Sequence, residues 1–161
     1  MSANAASDLT TDTPPQSAVP KSALWLGGTG AIPFVGCAVA SAAAPDGWQT
    51  FFLFALTAYG ALILSFLGGI QWGLAISKGA ALDGKELALR LCVSVVPSLI
   101  GWGSLLVPQP FGTLAMVMTF IVVLLIDLKL VREGLAPAWY PKLRWPLTLT
   151  VSAALLLGTF A

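Results

Sequence analysis

The sequence predicts an all-α integral membrane protein, a bundle of about five transmembrane helices, on three observations. Its 161 residues are 57% hydrophobic and only 9% charged, where a soluble domain carries about 25% charged residues, so the chain could not cover itself in water. The mean hydropathy is +0.88, and the charges cluster between long uncharged runs, each close to the ~20 residues that cross a ~30 Å hydrocarbon core. The runs are continuously apolar and do not alternate. Lipid obliges each segment to satisfy its own backbone, which selects helices over a barrel.

Residues 1–20 are dominated by Ser, Thr, Ala, Pro and Asp with no apolar run, too little to repay ordering entropy, and are expected to form a disordered tail. They lack the basic and apolar regions of a cleaved signal peptide. Residues 21–161 form the transmembrane domain. Its first span, about 22–44, ends at the turn Pro45-Asp46-Gly47. The second, about 48–77, exceeds the membrane thickness and should tilt or begin with an interfacial turn at Trp48, with Asp46 as its N-cap. The third, about 86–107, opens at Asp83, three residues before Glu86, in the manner of a capping box. Pro108-Gln109-Pro110 breaks the chain. The fourth span, about 110–131, has Pro110 at a first helical position and Gly134 as a C-terminal cap. The fifth, about 141–161, has a short uncharged part from Trp145 onward, so Lys142 and Arg144 would snorkel to the interface.

With five spans every Lys and Arg falls on one side: Lys21 in the tail, Lys78, Lys85 and Arg90 around the second loop, and Lys129, Arg132, Lys142 and Arg144 around the fourth. The opposite loops contain neither residue type. The positive-inside rule therefore predicts N-terminus in and C-terminus out, in a bacterial inner membrane, or a mitochondrial inner membrane if the source is eukaryotic. Trp48 is expected at the outer interface, with Trp139 and Tyr140 in the inner aromatic belt.

Several strings carry a resemblance: Ile32–Phe34 (IPF), Tyr59–Gly73 (YGALILSFLGGIQWG), Ser94–Ser98 (SVVPS), Asp127 followed closely by a basic residue, and Pro137–Arg144 (PAWYPKLR). Together they resemble the transmembrane protein 69-like family of uncharacterised membrane proteins, domain of unknown function 3429, over nearly all of the chain after the tail. The resemblance implies an integral membrane protein and brings no established activity. The family often has histidine at the position of Gln71, so a role that needs a titrating imidazole does not carry over.

Composition excludes more than it assigns. There is no histidine, which removes the usual ligands of membrane haem and of catalytic zinc, and neither a metal nor a cofactor is expected. Cys37 and Cys92 should sit at different depths, roughly 24 Å and 3 Å from the charged side on helical rise, too far apart for a disulfide; both are expected as buried thiols. A net charge of +1 without a basic stripe leaves nucleic acid without an electrostatic footprint. No Ser-Lys, His-containing or paired-carboxylate motif lies at a depth where intramembrane chemistry could use it, so the chain is not expected to be an enzyme.

Two sets of residues remain. Ala61, Ser65, Gly69 and Gly73, continued by Ser77, form a stripe of small side chains four apart, the kind of surface along which membrane helices pack, within one bundle or in a homo-oligomer. Gln71, Trp72, Arg90, Ser94, Ser98, Asp127 and Arg144 share the inner third of the membrane. An intramembrane carboxylate is costly at mid-bilayer and less so near the interface; Asp127 is read either as an interfacial residue or as turning inward to pair with Arg90 or Arg144, with Gln71 and Ser98 then completing a polar pocket and Trp72 lining an internal surface. Pro33 and Pro97 interrupt the first and third spans, freeing the carbonyls of Thr29 and Val93, and kinks are expected there. These features point to a structural or partner-binding membrane component in contact with the lipid bilayer and a homo-oligomer or membrane-protein partner. The alternative is a small-solute or ion transporter or channel component with a cytoplasm-facing polar pocket.

Overall fold

The computed structural model describes residues 18–45, 47–77, 79 and 82–160. Most of the expected tail, Asp46 and Lys78 lie outside the described residues. Five helices follow one another: α1 (Lys21–Ala43), α2 (Gln49–Ser77), α3 (Gly84–Ser104), α4 (Phe111–Arg132) and α5 (Tyr140–Phe160). All five are long and apolar enough to cross a membrane. They form a ring in chain order, closed by α1 against α5, and α2 touches each of the other four. The short connections make sequential neighbours antiparallel. Helices α1 and α5 run parallel: Gly27 lies against Leu143 and Leu147 near one end, and Ser41 Oγ donates to the Gly158 carbonyl (3.0 Å) near the other.

Inside the ring sits one apolar core. Phe34, Leu56, Leu64, Met116, Phe120 and Leu155 are essentially inaccessible, and Phe34 stacks at a tilt on Tyr59 with centroids 4.8 Å apart. The outer surfaces carry large apolar side chains, among them Phe54, Leu62, Phe66, Leu99 and Trp102, the surface that lipid solvates and water would not.

Gly134 closes α4 as expected, at φ +70°: the Leu135 and Gly134 amides donate to the Leu130 and Val131 carbonyls, the paired bonds of a Schellman motif. Pro110 is the residue before the first helical one, and Gln109 performs the capping, its Oε1 accepting from the Thr113 amide (3.1 Å) and hydroxyl (2.6 Å). Asp83 makes no side-chain cap bond, and the Glu86 carboxylate accepts from Arg90 one turn on, so neither half of the capping box forms. Pro33 and Pro97 lie within continuous helices, as does Pro146 in α5, which the sequence reading passed over. Cys37 is half-buried and Cys92 is exposed on the outer face, both as free thiols.

The small stripe on α2 needs correction. A side chain added at Gly69 or Gly73 would meet nothing in the protein, and both face outward with Ser65 and Ser77. The face that packs is Gly60, Leu64, Leu67, Gly68, Gln71 and Ala75, one residue, or about 100°, around the helix. There a Cβ at Gly68 would collide with the Ser94 carbonyl oxygen, and one at Gly101 would stand 3.1 Å from the Ala61 Cα. Close backbone approach between α2 and α3 thus rests on Gly68 and Gly101; of the stripe, Ala61 packs against Gly101 and Ser65 bonds to Ser98 at the edge of the seam.

Candidate functional site

Charged groups gather at the end of the bundle formed by the start of α1, α3 and α5 and the finish of α2 and α4. One turn or more inside it, Asp127 of α4 and Arg144 of α5 form an ion pair, Nε to Oδ2 at 2.7 Å, although the residues are only 2% and 5% exposed. Gln71 of α2 donates its Nε2 to the other carboxylate oxygen at 3.2 Å. Three helices are therefore tied through one carboxylate. The Tyr140 hydroxyl is buried beside this pair and interacts with the Asp127 carboxylate, though short of full hydrogen-bond geometry.

Among the described residues, the buried side-chain atoms without a hydrogen-bond partner belong to this region and its continuation: Gln71 Oε1, Tyr140 OH, Arg144 Nη2, Thr148 Oγ1 and Ser152 Oγ. The last four follow one another at intervals of four along one ridge of α5. The ridge leads away from the charged end, and its next member at that spacing, Leu156, packs against the apolar core. Beyond that apolar stretch, the Thr113 and Thr159 hydroxyls bond to each other at 2.9 Å near the opposite end.

A second group of charges lies nearer the surface. Arg90 of α3 donates to Glu86 (2.7 Å) and to Glu133 just past α4 (2.9 Å), and Lys129 stands 3.7 Å from Glu133. The Arg90 hydrogen bond holds the Glu133 carboxyl below its ordinary range. These residues line a cavity of about 240 Å³ between α2, α3 and α4. Its walls are apolar, with Leu74, Leu89, Val93, Ile126 and Leu130 among them, and Gln71 contributes to its lining. On helical rise it reaches roughly 10 Å inward from the helix ends.

Of the residues singled out from sequence, Gln71, Asp127 and Arg144 are brought together, and Arg90 lines the same cavity as Gln71. Asp127 takes Arg144 and not Arg90 as its partner. Arg144 does not snorkel, because the Asp127 carboxylate meets it inside the bundle. Ser94 is buried but turns its hydroxyl to the Leu91 carbonyl (2.7 Å), and Ser98 bonds to Ser65 (3.2 Å); both belong to the α2–α3 seam. Trp72 is 42% exposed on the outer surface, because one residue beyond Gln71 the helix has turned about 100° toward lipid. Sequence reasoning missed Glu133 and the inward-turned Tyr140, which it had placed in the interfacial belt. The four-residue spacing of Tyr140, Arg144, Thr148 and Ser152 was the available signal.

Comparison with known proteins agrees with this architecture. The family model described as protein of unknown function (DUF3429) matches residues 19–160. Transmembrane protein 69 of Xenopus tropicalis is 35% identical over 138 residues, 80% of this chain and 50% of the relative; the chain thus spans about half the length of that curated relative. No solved structure matches.

Proposed function

The chain belongs to the transmembrane protein 69-like DUF3429 family, and from that premise and its own geometry we propose that it is a non-catalytic, partner-binding membrane component whose binding place is the cavity at the charged end. One observation carries this reading. The cavity is lined by Glu86, Arg90, Lys129 and Glu133 as well as by Gln71, while behind Gln71 the Asp127–Arg144 pair and the apolar core close the bundle. A recess of this shape receives a ligand and does not pass it on. Transport is the weaker reading, since the polar ridge of α5 continues into Leu156, which packs against the apolar core. The charged end is proposed to face the cytoplasm or its equivalent, because it holds the basic residues.

The fixed floor suits binding. A carboxylate held by two donors from two helices cannot relax toward a newcomer, so the cavity keeps its form and the ordering cost of binding stays small. Native mass spectrometry of the protein released from its own membranes in mild detergent tests the proposal. The unaltered protein should retain a bound non-protein mass that Val93→Phe, which fills the cavity, loses without loss of thermal stability. A protein that carries no such mass, or a mass that persists in Val93→Phe, overturns the assignment of the cavity.

A further inference from the structure

Two charged groups that line the cavity keep bonding capacity the protein itself does not use. Glu86 of α3 accepts both Arg90 bonds on Oε1, and among the described residues its Oε2 has no partner. Lys129 of α4 stands 3.7 Å from Glu133 with its side chain 76% exposed, beyond hydrogen-bond length, so its ammonium donors are turned to the surroundings. Between these two, Arg90 and Glu133 hold each other at 2.9 Å. One acceptor on α3 and one cation on α4 therefore remain, on two helices that both wall the cavity.

The apolar walls indicate the side from which an occupant arrives. Leu89 lines the cavity and is also 64% exposed, about one and a half turns inside the start of α3. Cys92, Val96 and Leu99 continue its exposed line at spacings of three and four toward the opposite end. At Leu89 the cavity wall and the lipid-facing surface are therefore continuous. Further in, the side chains of Leu74, Val93, Ile126 and Leu130 offer no hydrogen-bonding group. The volume, about 240 Å³, falls just below the roughly 300–1,000 Å³ of small-molecule sites and suits part of one hydrocarbon chain.

Resting on the cavity as the binding place, we infer that its ligand is a phospholipid with an ethanolamine headgroup, taken from the leaflet at the charged end. One acyl chain lies along Leu89 and Val93, the phosphate meets Lys129, and the primary ammonium donates to Oε2 of Glu86. The other chain stays in the bilayer against the exposed surface of α3. Both signs of charge are used. A phosphatidylglycerol headgroup brings an anion for Lys129 and nothing for Glu86, which repels it. A choline headgroup carries its cation behind methyl groups and has no N–H to donate to the carboxylate.

The test is native mass spectrometry of the full chain, stripped of lipid in mild detergent and titrated with dioleoyl phosphatidylethanolamine, phosphatidylcholine and phosphatidylglycerol, which share their chains and their phosphate. The ethanolamine lipid should bind about two- to fivefold more tightly than either of the others, the range of an ion pair that water reaches. In Glu86→Gln its ratio to the choline lipid should fall to about one. Lys129→Gln should weaken the ethanolamine and choline lipids alike and leave their ratio unchanged, a split that a loss of folding would not produce. Choline or glycerol lipid bound as tightly as the ethanolamine lipid overturns the inference, as does an ethanolamine preference that survives in Glu86→Gln or in Val93→Phe. The comparison of the three lipids on the unaltered protein stands alone should a variant fail to fold. If all three bind equally and all are lost in Val93→Phe, the cavity remains the binding place and only the headgroup falls. If none binds and a different mass is carried that Val93→Phe removes, the cavity stands and the phospholipid falls; with neither lipid nor such a mass, both fall.

Discussion

Replacing Asp127 by Asn keeps the shape of the side chain and removes its charge, which leaves the Arg144 guanidinium 5% exposed without a counter-ion. Its Nη2 already lacks a partner, and the neutral amide oxygen left at position 127 does not balance the charge. Breaking a buried pair from one side costs about 3–5 kcal/mol. Arg144→Met should cost a comparable amount by stranding the carboxylate on the Gln71 amide alone. The double variant removes both charges together and should recover a large share, with a coupling of at least about 2 kcal/mol. Arg90→Met supplies the contrast. Its partners Glu86 and Glu133 have side chains 48% and 33% exposed, and its loss should cost under about 1 kcal/mol, as expected of pairs that water can replace. Unfolding in sodium dodecyl sulfate, followed by tryptophan fluorescence, measures all four variants. Strictly additive single effects, or an Arg90 variant as damaged as the Arg144 one, would refute the assignment of Asp127 and Arg144 as the buried, coupled pair.

Three other outcomes are expected. Gly68→Ala should destabilise by about 1–3 kcal/mol, because its Cβ meets the Ser94 backbone carbonyl, which cannot yield as a side chain could; Gly73→Ala, facing open space, should unfold like the unaltered protein in the same assay. The Glu133 carboxyl is depressed in the folded state, first by its hydrogen bond to Arg90, so its contribution is present above its ordinary value of 4.5 and lost as pH falls through the lower folded value. The stability gap between the unaltered protein and Glu133→Gln should accordingly shrink below about pH 4.5 in a pH series of thermal unfolding. For orientation, a C-terminal alkaline phosphatase fusion in bacteria should be active and a C-terminal green fluorescent fusion dark, and the opposite pattern would reverse the assigned sides.

The readings that came from lipid as a solvent were legible in the sequence. Five apolar runs separated by Pro and Gly turns specify five helices, and the one-sided placement of Lys and Arg already implied that the charges meet at one end of the bundle. Asp127 stood out for the same reason, as a carboxylate that hydrocarbon does not tolerate alone. Part of the site was legible too, since Gln71, Asp127 and Arg144 could be assigned similar depths by counting helical rise.

Rotation about each helix axis was decided only in the tertiary structure. In water the buried face of a helix is marked by apolar residues against polar ones, but in a bilayer the outward face is as apolar as the inward one, and composition alone does not distinguish Gly68, against the Ser94 carbonyl, from Gly69 beside it. The same ambiguity sent Trp72 outward and Gln71 inward. It also left the partner of Asp127 open between Arg90, on α3, and Arg144, on α5, until the packing of α4 against α5 brought one guanidinium to 2.7 Å and left the other to the surface carboxylates. Depth follows from counting residues, because rise per residue is fixed; the facing of a side chain follows from which backbones can approach, and that depends on all five helices at once.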